Sequence, residues 1–243
     1  MTDSGKSGMT LSIVSHGQGE LVRLVLEDLR RLAVPDLSLI LTLNIPEDES
    51  WIPQDDELPV QIIRNTRPLG FGANHNQAFA QSDSEIFVVA NPDLRLTDAS
   101  FATLSLGLAD TRVAACAPLV FGPDGTVQDS ARRFPSLTKL ARRALLRQRE
   151  ADYPPDATTE VDWVAGMLVL FRSYAFRQIG GFDERYFMYL EDADICRRLQ
   201  AAGWKVLYQP CATVVHDARR NSHRSLRHLS WHVRSMARFL FGV

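Results

Sequence analysis

From Thr10 onward the chain alternates short apolar, β-branched runs with longer stretches in which apolar residues recur every three to four positions. Extended segments are expected at residues 11–15, 37–43, 60–64 and 85–90, and helices at 19–32 and 72–80. Strands interleaved with helices predict an α/β fold with a parallel sheet flanked by helices. Ile86-Phe87-Val88-Val89-Ala90 is apolar at every position, as a central strand covered on both faces should be, and it runs directly into Asn91-Pro92-Asp93. A second helix-strand unit over 99–108 and 113–119 leads to the turn Gly122-Pro123-Asp124-Gly125. The pattern then changes. Residues 136–150 read as a basic helical stretch, Tyr153-Pro154-Pro155 as a break, 161–171 as a strand-like run leading to Gly180-Gly181, and Tyr189 to about Gly203 as a helix.

Composition narrows the class. A chain of 243 residues with 45% hydrophobic and 23% charged content can bury a sizeable core. Its 27 basic and 29 acidic residues nearly cancel, so bulk charge argues for no nucleic-acid partner. Cys116, Cys196 and Cys211 are odd in number and widely spaced, which suits a reducing cytosol better than a disulfide framework or a zinc knuckle. The polar start MTDSGKSG lacks a secretory signal's apolar stretch, and the longest apolar run, 163–171, is too short to span a bilayer. The expected organisation is a disordered N-terminus over 1–8, one domain over 9–218 with halves 9–95 and 96–218, and a basic amphipathic helix over 219–243. The expected location is the cytoplasm, with peripheral contact at the inner face of the cytoplasmic membrane as an added reading.

Three constellations could carry chemistry. Ligands of open parallel sheets bind beyond the carboxyl ends of strands, where Asn91-Pro92-Asp93 should lie, and a single carboxylate there could help hold a hard divalent cation. Taken alone, the tripeptide reads more simply as an Asx-Pro turn. Glu191, Asp192 and Asp194 open a helix, as acids commonly do. Helical spacing expects Glu191, Asp194 and Arg198 on a polar stripe and Asp192 in line with Ile195, Cys196 and Leu199, and an acid on an apolar stripe facing a cleft suits a general base. His216 ends a β-branched run and becomes a metal or phosphate ligand only if the fold brings it to Asp93. Gly70 and Gly72 would let backbone N–H groups approach a diphosphate, although G-x-G without a third glycine is a weak signal. Gly5-Lys6-Ser7 has neither the strand nor the upstream glycine of a P-loop.

In order and spacing, RNTRPLGFGANHNQAFA, FVVANPDLRL, PLVFGPDGTVQDSARRFP and VDWVAGMLVLFRSYAFRQIGGFDERYFMYLEDADICRRLQAAGWKVLYQPCATVVH resemble family 2 glycosyltransferases of the GT-A fold, most closely a bacterial rhamnosyltransferase-like branch. The resemblance spans most of the chain from Arg64 to His216. It implies a GT-A-type Rossmann-like sheet with an acceptor-side half. It also implies inverting transfer of a sugar, rhamnose first, from a nucleotide diphosphate sugar to a glycan or lipid-linked acceptor in surface polysaccharide synthesis. Asp192 would be the catalytic base, with Glu191 beside the acceptor; Asp93 and His216 would hold Mg²⁺ or Mn²⁺. Ser15, Asn44, Asn65, Gly70, Gly72, Asn74, Asn91 and Asp93 would line the donor site, and Trp163, Gly166 and Glu191 the acceptor site.

The chain departs from the family pattern at Thr42-Leu43-Asn44, where the usual acid contacting the base is absent, at Ser15-His16-Gly17, and at residues 217–222 after His216. Leu43 and Asn91 motivate a second reading, a catalytically inactive protein that binds nucleotide sugar or glycan. The basic stretch 132–149 and the Arg-rich tail interleave with apolar residues and carry no nucleic-acid motif. They suit anionic lipid, or a solvated helix face equally.

Overall fold

The computed structural model describes residues 6–53, 58–98, 100–138, 151–217 and 226–242. Its first half contains β1 (Lys6–Ser15), α1 (Gly19–Leu32), β2 (Leu37–Leu43), β3 (Val60–Arg64), α2 (Phe71–Phe79), β4 (Ser84–Ala90), β5 (Leu94–Leu96), α3 (Ser100–Gly107) and β6 (Val113–Phe121). Then follow β7 (Val127–Gln128), β8 (Ala131–Arg132), β9 (Thr159–Glu160), β10 (Trp163–Val164), β11 (Leu168–Arg172), α4 (Ser173–Gln178), α5 (Glu191–Ala201), β12 (Lys205–His216) and α6 (Leu226–Phe241). β1 starts within the stretch expected to be disordered: Lys6 pairs with Ser84 and Met9 with both Leu37 and Ile86. Partners on both sides satisfy the backbone whatever the side chains' polarity. Most of the basic stretch, residues 139–150, lies outside the described residues, as does 218–225 of the tail.

The main sheet runs β3-β2-β1-β4-β11-β6-β12-β5. β3, β2, β1 and β4 are mutually parallel, as the strand-helix alternation requires. Beyond these the parallel order is interrupted by β11, which pairs antiparallel with both β4 and β6. Side-chain periodicity reports which face a residue takes but is blind to chain direction. The run 161–171 is likewise two strands, because Met167 N donates to Ala165 O at 2.8 Å in a tight turn between β10 and β11. β10 leaves for a two-stranded sheet with β8, while β11 enters the main sheet.

The apolar run of β4 divides as its pleat demands. Val88 and Ala90 join Leu11, Ile13, Leu39 and Leu41 beneath Val22, Val25, Leu26 and Leu29 of α1. Phe87 and Val89 join Val169 and Phe171 against Phe176 of α4 and Ile195, Cys196 and Leu199 of α5. Asp28 of α1 reaches across to β5, accepting from Arg95 Nε and Nη2 at 2.8 Å each and from Leu96 N at 3.0 Å. Burial raises its pKa, but these donors outweigh burial and hold the carboxyl below its ordinary value. With β5 thus anchored, Asp93 is fixed one residue before a strand paired to the end of β12, where Leu94 faces His216.

Candidate active site

Strand order reverses between β1 and β4, and their carboxyl ends open the crevice in which open α/β sheets bind ligands. Asn91 follows β4 and donates its N–H to Met167 O at 2.8 Å. Two residues on, Asp93 places Oδ1 3.1 Å from His216 Nε2. Gln128 sets the histidine's tautomer: its Nε2 donates to His216 O at 2.9 Å, which turns its Oε1 toward His216 Nδ1 at 2.8 Å. Nδ1 therefore carries the proton, and in the neutral ring Nε2 presents a lone pair to the carboxylate. Asp93 Oδ1 is buried without a hydrogen-bond partner. Two electron-pair donors facing each other at this distance are compensated by a proton on Nε2 or by a metal cation, so the donor set fits a divalent ion. Among the described residues no group of three or more His, Cys, Asp or Glu is gathered, so phosphate oxygens or water would complete the coordination.

The acid pair sits on the other side of the Ala165–Met167 turn. Asp192 Oδ2 accepts from Gly166 N at 3.1 Å and Oδ1 from Ala193 N at 2.8 Å. Glu191 is buried with Oε2 unpartnered. Burial and then the neighbouring Asp192 push Glu191 well above the ordinary carboxylate value. Burial also raises Asp192, but the two N–H groups and the charge of Arg132 oppose it. Asp192 is therefore the member of the pair that ionises more readily. Tyr189 and Leu190, immediately before the pair, both have left-handed backbones, φ 72° and 65°, an arrangement that costs energy and that surrounding contacts must enforce. α6 supplies them: Ser235 Oγ donates to Met188 O at 2.9 Å, the Tyr189 hydroxyl meets His228 Nδ1 at 2.8 Å, and Trp231 packs on Phe187 with centroids 4.8 Å apart.

The polar stripe on α5 is present but covered, with Asp194 and Arg198 paired along it. Glu191 and Asp194 are buried whereas Asp192 is half-buried. Asp194 is screened by Arg197 at 3.1 Å and Arg198 at 2.7 Å. Tertiary cover from α6 and the loop before α5 buries a face that helical spacing alone assigns to solvent.

The expected donor residues form a scaffold. Asn44 Oδ1 accepts from Asn65 Nδ2 at 2.9 Å and Leu69 N at 2.8 Å, and Asn65 Nδ2 also donates to Asn74 Oδ1 at 2.6 Å. Asn44 and Asn74 are buried in this network, which fixes the loop into α2. Ser15 is buried and accepts from Gln18 N at 3.1 Å. The glycines have a packing reason: a Cβ on Gly70 would stand 2.6 Å from Phe187 O, and one on Gly72 2.6 Å from Phe182 Cβ. Trp163 is a buried wall, its Nε1 donating to Arg133 O at 3.0 Å and its ring covered by Arg132 at 5.1 Å. Burial pushes His75, held by Ser12 Oγ at 2.8 Å, down to about 3, so it is a neutral core histidine.

The family model described as "Glycosyltransferase like family 2" matches residues 7–240. The chain belongs to this family. N-acetylglucosaminyl-diphospho-decaprenol L-rhamnosyltransferase of Mycobacterium tuberculosis is 35% identical over 74% of the chain, a match that spans 66% of the relative's length. Rhamnosyltransferase WbbL of Escherichia coli is 28% identical over 94% of the chain and 90% of its own. Two solved structures share the fold: GalNAc-T7 with UDP, GalNAc and Mn²⁺ (TM-score 0.65, 18% identity, 96% of this chain and 48% of that one), and a mannosyltransferase from Pyrobaculum calidifontis with GDP-Man and Mn²⁺ (0.67, 16%, 94% and 62%). The family 2 chain thus carries a GT-A sheet in which two functional candidates, Gln128 and Arg132, received no role from sequence reasoning. Both lie in the stretch PLVFGPDGTVQDSARRFP, but only the return of β7 and β8 to the crevice places them beside His216 and Asp192.

Proposed function

We propose that this family 2 chain is an inverting glycosyltransferase that moves rhamnose from a nucleoside diphosphate sugar to a hydroxyl of a lipid-linked glycan acceptor in bacterial surface polysaccharide synthesis. The observation that carries this reading is the single turn at Gly166–Met167, which hydrogen-bonds to Asp192 on one side and to Asn91 on the other. A base and a diphosphate site are thereby held against one crevice. The names of the mycobacterial and Escherichia coli relatives support rhamnose, and the former supports a diphospholipid acceptor.

Asp192, the acid of the pair that ionises more readily and is aligned by two backbone N–H groups, takes the acceptor hydroxyl proton as that oxygen attacks the anomeric carbon and the bond from that carbon to the nucleoside diphosphate breaks. Glu191, whose burial favours the protonated carboxyl, can in that form donate a hydrogen bond to the acceptor without repelling Asp192. Asp93 and His216 are the residues that would hold Mg²⁺ or Mn²⁺. Such an ion would neutralise the departing diphosphate. Asn65, half-buried beside the loop into α2, and Asn91 flank the donor crevice, and Trp163 and Gly166 form the acceptor wall.

The test is transfer from deoxythymidine diphosphate rhamnose to a polyprenyl-diphosphate N-acetylglucosamine acceptor with Mg²⁺ or Mn²⁺. Product that appears with the wild type and vanishes with Asp192→Asn supports the reading. Donor binding with neither transfer nor hydrolysis under any metal would instead favour a non-catalytic binding protein.

A further inference from the structure

α6 has two apolar faces. Its inner face is built into the domain: Phe239 and Ser235 are buried, Arg197 lies over the Phe239 ring at 4.0 Å, and Ser235, Trp231 and His228 hold the loop before the acid pair. The outer face also carries apolar side chains, and these are exposed. Leu226, Leu229 and Val233, spaced as one helical stripe, are 84%, 58% and 59% exposed, and Phe241 at the end of the helix is 64% exposed. Arg227 and Arg234, two turns apart and both exposed, flank that stripe on one side, and the helix contains no acidic residue.

We propose that the outer face of α6 is a docking surface for an anionic lipid bilayer, with Leu226, Leu229, Val233 and Phe241 entering the interface and Arg227 and Arg234 meeting lipid phosphates. Charge chooses this occupant: an apolar stripe bordered by arginines without one carboxylate suits a negative surface. Position supports it. A helix is about 10 Å across, so a bilayer on the outer face lies roughly one helix diameter from residues 187–190, which lead into Glu191 and Asp192. A diphospholipid acceptor embedded there would present its sugar to the acids, a consequence that rests on the transferase reading above. No helix among the described residues is long and apolar enough to cross a membrane.

Flotation of the purified chain with phosphatidylglycerol vesicles tests the surface. Wild type should float with these vesicles at low salt, float less at raised salt, and stay behind with neutral phosphatidylcholine vesicles. Leu229→Ser with Val233→Ser should weaken partitioning ten-fold or more, on the order expected for losing two buried aliphatic side chains. Arg227→Gln and Arg234→Gln should each weaken it about five-fold. Absence of flotation at low salt, or unchanged flotation of the serine variant, overturns the proposal. So does light scattering that shows a wild-type dimer made monomeric by the serine substitutions, because a second copy would then cover the face. Donor hydrolysis measured on the same samples separates the readings: an enzyme that hydrolyses donor but ignores vesicles refutes only the surface, and a protein that floats but never hydrolyses or transfers refutes only the transferase.

Discussion

Gly166 donates its backbone N–H to Asp192 Oδ2 at 3.1 Å, and a side chain at Gly166 would meet the Phe71 ring at 3.2 Å. The glycine therefore lets a turn press against the acid pair and the start of α2 at once. Gly166→Ala should move the turn by a few tenths of an ångström and lower kcat by about 10- to 100-fold while the chain stays folded. Steady-state kinetics alongside circular dichroism checks this; an unchanged kcat would remove the turn from the mechanism.

The two acids should respond in opposite ways to amide substitution. Asp192→Asn removes the group that ionises and should reduce transfer by about 10²–10⁴. Glu191→Gln replaces a carboxyl whose burial favours the neutral form and should keep turnover within about ten-fold, a step in the range of one hydrogen bond. A reversal of that order would exchange the two roles.

Glu191 also makes a stability prediction. Its folded-state pKa lies above the ordinary 4.5, so between those two values the native chain holds a proton that the unfolded chain has lost. Stability from this group is present below 4.5 and declines as pH rises toward the folded value. Glu191→Gln should flatten that decline. Thermal melts of both proteins from acid to neutral pH should diverge, with the variant gaining relative to wild type as pH rises.

His216 should depend on Gln128 for its tautomer. Gln128→Ala leaves Nδ1 without its acceptor and should weaken Mn²⁺ binding in the presence of nucleoside diphosphate by about 10- to 100-fold. His216→Ala should weaken it at least as much, and chelation should stop transfer by the wild type. Calorimetric titration of Mn²⁺ measures the first two, and equal affinity in all three proteins would exclude this site.

Asp28 and Arg95 tie α1 to β5, and Asp28→Asn should lower stability by about 1–3 kcal/mol, discounted because Arg95 is 46% exposed. The pH sign is opposite to that of Glu191. A depressed carboxyl contributes fully above its ordinary 3.8 and loses that contribution as pH falls through its lower folded value. Urea melts of wild type and variant should therefore converge in strong acid.

By itself the sequence determined most of the first-half elements and the chemistry at stake. Hydrophobic period is a local property, so α1, β2 and β3 fall on their expected residues, and β4 was legible as a central strand from its unbroken apolar run. Family-like stretches named Asp93, Asp192 and His216. What the sequence did not carry was chain direction and distant juxtaposition. Only the antiparallel insertion of β11 places Gly166 and Met167 between Asn91 and Asp192, and only the pairing of β5 with β12 brings His216 to Asp93. The burial of Glu191 and Asp194 was likewise decided by elements packed over α5. Helical spacing sorts residues onto faces, but which face meets water depends on what the rest of the chain lays against it.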